Sequence, residues 1–152
     1  MTAQPPASQF DSNGAAIFAC ARSDWLDDFS QLELAVRKCE ERFNPARFPR
    51  GTPLSQRLPA LAALKPSSSC SNDTLERLQK AVRACEAFLP LRASIVHSTL
   101  KTGKRGKSKV AIFQNSCDAV HGVPLYAVMT EEDFVRTGRV LRGLASEFTG
   151  LS

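Results

Sequence analysis

An arginine and a histidine lie five positions apart in the otherwise apolar run LRASIVHSTL, residues 91 to 100. A histidine titrates near neutral pH, so His97 can take the proton of a ribose 2′-hydroxyl or protonate a leaving oxygen. The guanidinium of Arg92 can stabilise charge on a phosphate through charge-assisted hydrogen bonds. These residue types therefore suit RNA cleavage by internal attack, which needs no metal.

A basic segment, KTGKRGKSK, begins four residues after His97. Its two glycines and its lack of apolar spacing predict a loop rather than a helix. Cations in such a loop can bind the RNA backbone by charge, although a solvated lead-in to a hairpin is the alternative interpretation. The residues predicted to bind RNA are Lys101, Lys104, Arg105, Lys107 and Lys109.

The other residues able to bind metals do not form a convincing site. The five cysteines are an odd number with no Cys-x-x-Cys pair, which indicates reduced thiols and a cytoplasmic location. His121 lies near Asp118 and Cys117, but a metal site needs a second cluster of ligands. We predict no metal and no cofactor, and we expect Cys39 and Cys85 to be small core residues.

Composition indicates one globular domain. The chain has 152 residues, 43% of them hydrophobic and 23% charged, with a net charge of +5. That charge suits a polyanionic partner such as RNA, but many basic domains share it. The chain has no apolar run of about 18 residues, so no membrane contact is predicted. Because the first twenty residues lack a basic segment followed by an apolar one, we do not expect export.

Three apolar stripes with alternating steps of three and four residues predict the main helices. Two capping boxes mark helix starts, Asp73 with Glu76 and Thr130 with Asp133. The first helix is predicted to begin near Ser23, after a loosely ordered leader over residues 1 to 22. The predicted helices are residues 24 to 43, 73 to 97 and 131 to 149.

Two runs rich in β-branched and aromatic residues, KVAIFQ and VPLYAVM, predict a β-hairpin with a long turn over about residues 109 to 129. Pro124 must then lie on an edge strand or at a strand start. The predicted fold class is mainly α, a helical bundle with a β-hairpin inserted before the last helix. Residues 23 to 152 would form this single domain.

Continuing the stripe of the 73 to 97 helix beyond Leu89 places Arg92 where a core leucine is expected. A lone buried charge is costly unless it is paired and hydrogen-bonded. In the simpler interpretation, Arg92 reaches Glu86, a carbonyl or solvent, while His97 only favours the helix C-terminus through the macrodipole. Alternatively, a polar cleft between two protomers accommodates the arginine.

An arginine, four intervening residues and a histidine near the end of a main helix resemble the signature of the HEPN superfamily. The resemblance rests on Arg92 and His97 and covers roughly residues 73 to 152 by element order. It implies a bundle of four or five helices and a homodimer whose two motifs meet in a cleft. It also implies metal-independent endoribonuclease activity in which these two residues are catalytic.

Two functions therefore stay open. The first is a HEPN-like RNA-associated domain acting as a metal-independent endoribonuclease, and the basic segment favours it. The second is a non-catalytic helical module for dimerisation or protein interaction, which binds RNA or a partner protein. Ala93 favours the second function, since active members of the superfamily usually have a polar residue directly after the arginine.

Overall fold

The computed structural model describes residues 12 to 44, 48 to 120 and 123 to 152, without the side chains of residue 12 and of 115 to 126. The chain is mostly helical, with a three-stranded antiparallel sheet of order β1-β2-β3 between the fourth and fifth helices. The elements are α1 (Ser12–Phe43), α2 (Leu54–Ala62), α3 (Asn72–Glu86), α4 (Leu89–His97), β1 (Thr99–Arg105), β2 (Ser108–Val120), β3 (Val123–Met129) and α5 (Glu131–Leu151).

The first helix begins at Ser12, so the predicted start near Ser23 is wrong. Its buried stripe continues towards the N-terminus, because Phe18 lies two turns before Trp25 and both side chains are almost fully buried. The predicted leader is therefore helical from Ser12 onwards. Residues 1 to 11 of that leader lie outside the described residues.

The predicted helix over residues 73 to 97 is two helices, interrupted between Glu86 and Leu89. Pro90 explains the interruption, because a proline lacks an N–H and its ring clashes with the carbonyl four residues earlier, here that of Glu86. The predicted cap of this segment is also wrong. Ser71 is the N-cap of α3, and its hydroxyl accepts a hydrogen bond from the Thr74 N–H at 3.3 Å.

The capping box of the last helix is confirmed. The Thr130 hydroxyl accepts from the Asp133 N–H at 3.1 Å, and the Asp133 carboxylate accepts from the Thr130 N–H at 3.0 Å. These hydrogen bonds, chiefly the one from the Thr130 backbone, lower the pKa of Asp133 below its usual value near 3.8. The ionised carboxylate therefore stabilises the start of α5.

The contact between α1 and α5 is close. The Trp25 indole N–H donates to the Thr137 hydroxyl at 3.0 Å. At the residue after Thr137, a Cβ on Gly138 would lie 2.8 Å from a carboxylate oxygen of Asp28, so the glycine leaves the space that this side chain fills. Asp28 in turn forms an ion pair with Arg142 of α5.

The prediction of strands before the last helix is confirmed, but the predicted loop is wrong. Much of the basic segment is β1, and it joins β2 through a tight turn in which Gly106 has a positive φ of 63°. The predicted long turn is also wrong, because β2 continues to Val120 through an irregularity between Asn115 and Ala119. Pro124 lies in the edge strand β3, as expected.

Aromatic contacts attach the sheet to the helices. The ring of Phe113 in β2 packs edge-on against Phe134 of α5 at 6.0 Å, and Phe134 lies 6.3 Å from Phe18 of α1. All three side chains are buried. The predicted core positions Cys39 and Cys85 are confirmed, and burial raises their pKa values to about 11 and about 12.

The capping box generates a test of stability against pH. We expect Asp133→Ala to lower the free energy of unfolding by about 1 kcal/mol at pH 7. A carboxylate whose pKa is lowered on folding stabilises above its unfolded pKa, and that contribution is lost as the pH falls through the folded pKa. The difference from wild type should therefore shrink below about pH 4, as measured by urea unfolding across pH.

Asp73→Ala is the matched control. Asp73 was predicted to cap α3, but Ser71 is the N-cap, and Asp73 lies in the first turn. Its loss should cost less than the loss of Asp133, because only a favourable charge near the helix N-terminus is removed. Equal losses in the two variants would contradict the special role of the Thr130–Asp133 box.

Candidate functional site

Arg92 lies at the interface between α4 and α1. Its guanidinium is 3.6 Å from the Glu33 carboxylate and 5.6 Å from the centre of the Phe29 ring. The Arg92 side chain is 36% exposed, so the expectation that it occupies a core position is wrong. The break before Leu89 ends the stripe of α3, and the carboxylate that pairs with Arg92 comes from α1 rather than from Glu86.

The structure does not bring Arg92 and His97 together within one chain. Both belong to the uninterrupted helix α4, in which five positions correspond to a rotation of about 500°, or about 140° around the axis. Arg92 faces α1, whereas His97 is exposed at the last turn. Across the described part of the chain, no hydrogen bond or ion pair joins the two side chains.

Arg22 of α1 binds the C-terminal end of α4 beside His97. Its Nη2 donates to the carbonyls of Val96 and Ser98, each at 3.4 Å, and its guanidinium lies over the Phe113 ring at 5.9 Å. Carbonyls at a helix C-terminus lack partners within the helix, so a cation there is favourable. Sequence reasoning missed Arg22 because it placed the residue in the leader.

The residues predicted to bind RNA are all on one hairpin. We call residues 101 to 109, from β1 through the turn into β2, the basic hairpin. All five of its lysines and arginines are exposed, and Lys104 lies directly opposite Lys109 across the two strands. Residues 99 to 114 contain no aspartate or glutamate. The acidic first turn of α5 lies nearby, because Arg105 contributes to the lowered pKa of Asp133, and Lys109 lines a cavity with Glu131 and Glu132.

A second cationic feature is a cleft bounded by α1, α2, α4 and the segment before α2. Its volume is about 590 Å³, and we call it the arginine cleft. Glu33 is the one acidic residue among the residues that line it. The arginines in its wall are Arg37, Arg50, Arg57 and Arg92.

Arg57 holds the segment before α2 against α1. Its side chain is only 6% exposed and forms an ion pair with the buried carboxylate of Glu40. The same guanidinium donates to the carbonyls of Thr52 at 2.9 Å, Pro49 at 2.6 Å and Arg50 at 3.3 Å. The charge is therefore paired, and its hydrogen bonds fix the backbone at the mouth of the cleft.

Sequence reasoning missed the arginine cleft, although one signal was present. Leu54, Arg57, Leu58 and Leu61 follow helical spacing, so an arginine occupies a stripe position of α2. The structure shows all four side chains buried. Arg92 was singled out because it occupies a stripe position of its helix. Arg57 also occupies a stripe position, and its side chain is buried there.

We find no match for this chain among protein-family models, curated proteins or solved structures. Among the described residues, no three histidine, cysteine, aspartate or glutamate side chains are grouped as ligands for a metal ion. His121, Asp118 and Cys117, which we did not expect to form a metal site, lie outside the described side chains. No helix in the described ranges is long and apolar enough to cross a membrane.

The buried ion pair predicts an asymmetric response to mutation. Arg57→Met should lower the free energy of unfolding by about 3 to 5 kcal/mol, because it leaves the Glu40 carboxylate buried without its partner. The double variant with Glu40→Leu should recover much of that loss, since no unpaired charge remains. Urea unfolding of these two variants and of Glu40→Leu alone completes a double-mutant cycle. If the losses of the two single variants add up to that of the double variant, the two residues are not a coupled pair.

Proposed function

We propose that this protein is an RNA-associated domain that binds the phosphate backbone through the basic hairpin. The observation that carries the proposal is the grouping of four exposed cations on β1 and the following turn, namely Lys101, Lys104, Arg105 and Lys107. A phosphate backbone bound along this strand would meet several positive charges and release counterions from the RNA.

The anchoring of the hairpin also supports the proposal. β2 is the central strand of the sheet, and its buried Phe113 packs against α5. Lys101, Lys104 and Arg105 lie on β1, which is hydrogen-bonded along its length to this attached strand. A ligand that binds them loses less conformational entropy than one that must first order a flexible loop.

The proposed fold assignment is a HEPN-like helical bundle with the sheet inserted before the last helix. The contacts of α1 with α5, and of α3 with both α2 and α5, support this assignment. The resemblance of Arg92 and His97 to the superfamily signature adds to it. Pairing of two such domains as a homodimer, in the cytoplasm, is part of the same proposal.

A matched pair of variants tests RNA binding. The triple variant Lys104→Gln, Arg105→Gln, Lys107→Gln should weaken binding to single-stranded RNA, and the slope of log affinity against log salt should become shallower by about 2. The control Lys38→Gln, Lys80→Gln, Arg83→Gln removes the same charge from exposed positions on α1 and α3. Fluorescence anisotropy at several salt concentrations provides the measurement. Equal effects of the two triples would mean that net charge, rather than the hairpin, governs binding.

A second candidate function is metal-independent endoribonuclease activity across a homodimer. The observation in its favour is that Arg92 is partly exposed and His97 is exposed, on different faces of α4. In a symmetric pair, the arginine of one protomer can meet the histidine of its partner. His97 would then act on the proton of the 2′-hydroxyl while Arg92 stabilises charge on the phosphate.

If this activity exists, cleavage should proceed in EDTA and leave a 2′,3′-cyclic phosphate or its hydrolysis product. Arg92→Ala and His97→Ala should each lower the rate by about 10² to 10⁴-fold. Mixing the two inactive variants should restore activity, because a mixed dimer contains one site with both native residues. Gel cleavage assays, with sedimentation to verify the dimer, measure this directly.

Two outcomes would count against the nuclease. If the single variants keep their activity, cleavage comes from another site or from a contaminant. A dimer that binds but does not cleave RNA would instead favour the non-catalytic module for dimerisation or protein interaction. Ala93, directly after Arg92, is consistent with that alternative.

A further inference from the structure

We infer that the arginine cleft is a binding site for a phosphomonoester dianion, separate from the basic hairpin. The inference rests on the charges, the construction and the size of the cleft. It does not depend on catalysis by Arg92 and His97, and it does not require that the hairpin bind RNA.

The charges in the cleft leave an excess of two positive groups. Arg57 is paired with Glu40, and Arg92 is paired loosely with Glu33 at 3.6 Å. Arg37 and Arg50 also line the cleft, and within the described ranges neither side chain has an ion-pair partner. Glu41 lines a smaller cavity of about 40 Å³ together with Arg37, Arg50 and Arg57, so it offsets part of this excess from outside the cleft.

Guanidinium groups bind phosphate and carboxylate groups through paired hydrogen bonds. Each can donate two parallel hydrogen bonds to a pair of phosphate oxygens, which a lysine cannot do. Two unpaired arginines on one cavity therefore match the charge and the oxygen count of a phosphomonoester dianion. A carboxylate offers only one negative charge and two oxygens.

The N-terminus of α2 adds a further attraction for an anion in the cleft. Leu54 and Ser55, the first residues of α2, line the cleft, and the N-cap Pro53 makes no capping hydrogen bond through its side chain. The first N–H groups of a helix have no acceptor within it, and the helix dipole is positive at this end. An anion held by the arginines would therefore also be attracted by α2.

The cleft is held in place before any ligand binds. The hydrogen bonds of Arg57 to the carbonyls of Pro49, Arg50 and Thr52 fix the backbone that carries the Arg50 side chain. On the other side, Arg37 belongs to the long helix α1. Binding therefore requires ordering of side chains but little rearrangement of the backbone.

The cleft is larger than a phosphate. Its volume of about 590 Å³ is that of a site for a small organic molecule. Leu89 and Ala93 of α4 and Pro53 give it an apolar part. The ligand chemistry is thus a phosphate ester with an attached organic group, which can be a free small molecule or the 5′-phosphorylated end of an RNA.

Calorimetric titration with phenyl phosphate, and with inorganic phosphate for comparison, tests the site. Arg37→Gln and Arg50→Gln should each weaken phenyl phosphate binding by about tenfold. Glu33→Gln should strengthen it several-fold, because it removes the acidic wall and frees Arg92 to contact the anion. If Glu33 had only a structural role, its substitution would not strengthen phenyl phosphate binding. Arg83→Gln, an exposed arginine on α3, is the matched control and should change nothing.

An RNA bearing a 5′-phosphate, compared with the same RNA bearing a 5′-hydroxyl, distinguishes the two sources of the ligand. If the RNA with a 5′-phosphate binds more tightly, and Arg50→Gln abolishes that difference, the ligand is the RNA end. If the two RNAs bind equally while phenyl phosphate still binds the protein, the ligand is a small molecule. Phenyl phosphate binding should survive the triple variant of the hairpin. The inference is overturned if no phosphorylated probe binds at millimolar concentration, or if Arg83→Gln weakens binding as much as Arg50→Gln.

Discussion

The buried stripe of α1 is the constraint on which the other elements depend. Leu32, Val36 and Cys39 are fully buried on one side of this helix, and α2, α4, α5 and β1 all contact it. Because the core occupies that side, the neighbouring positions Glu33, Arg37 and Glu40 are brought to the junction with α2 and α4. The position of the arginine cleft is therefore a consequence of how the apolar stripe packs.

Three arginines in this junction illustrate how burial determines the role of a charge. Arg57 is almost fully buried and makes an ion pair and several hydrogen bonds, so its role is to hold structure. Arg92 is partly exposed, and its pair with Glu33 is long, so solvent competes with it. Arg50 is exposed and has no ion-pair partner within the described part of the chain, which leaves it available to a ligand.

The two cationic features of the molecule differ in what they can recognise. The basic hairpin is an exposed strand pair, and such a surface suits a polymer whose charges repeat along its length. The arginine cleft is concave and partly apolar, so it suits a single dianion with an attached group. Under the two proposals, an RNA chain and a phosphorylated group would be bound through separate contacts.

Local pattern was sufficient for several features, although it placed the cap of α3 at Asp73 rather than at Ser71. The capping box of Thr130 and Asp133, the buried thiols of Cys39 and Cys85 and the strand position of Pro124 could all be predicted from the sequence. The basic segment was predicted as a loop, because its composition does not show that β2 would supply hydrogen bonds to it. The segment before Ser23 was predicted to be loosely ordered for a related reason: its helix is stabilised where Phe18 packs against Phe134, far away in the chain.

The sequence by itself determined the helical stripes, the strand-forming runs and the surplus of basic residues. Only the tertiary structure decided which charges meet. The partner of Arg92 is Glu33 rather than Glu86, and the arginine in the core is Arg57. The physical reason is that Pro90 separates α4 from α3, and the orientation of α4 then depends on its packing against α1 and the sheet. Periodicity assigns a residue to a face of its own helix, whereas the element covering that face is set by long-range packing.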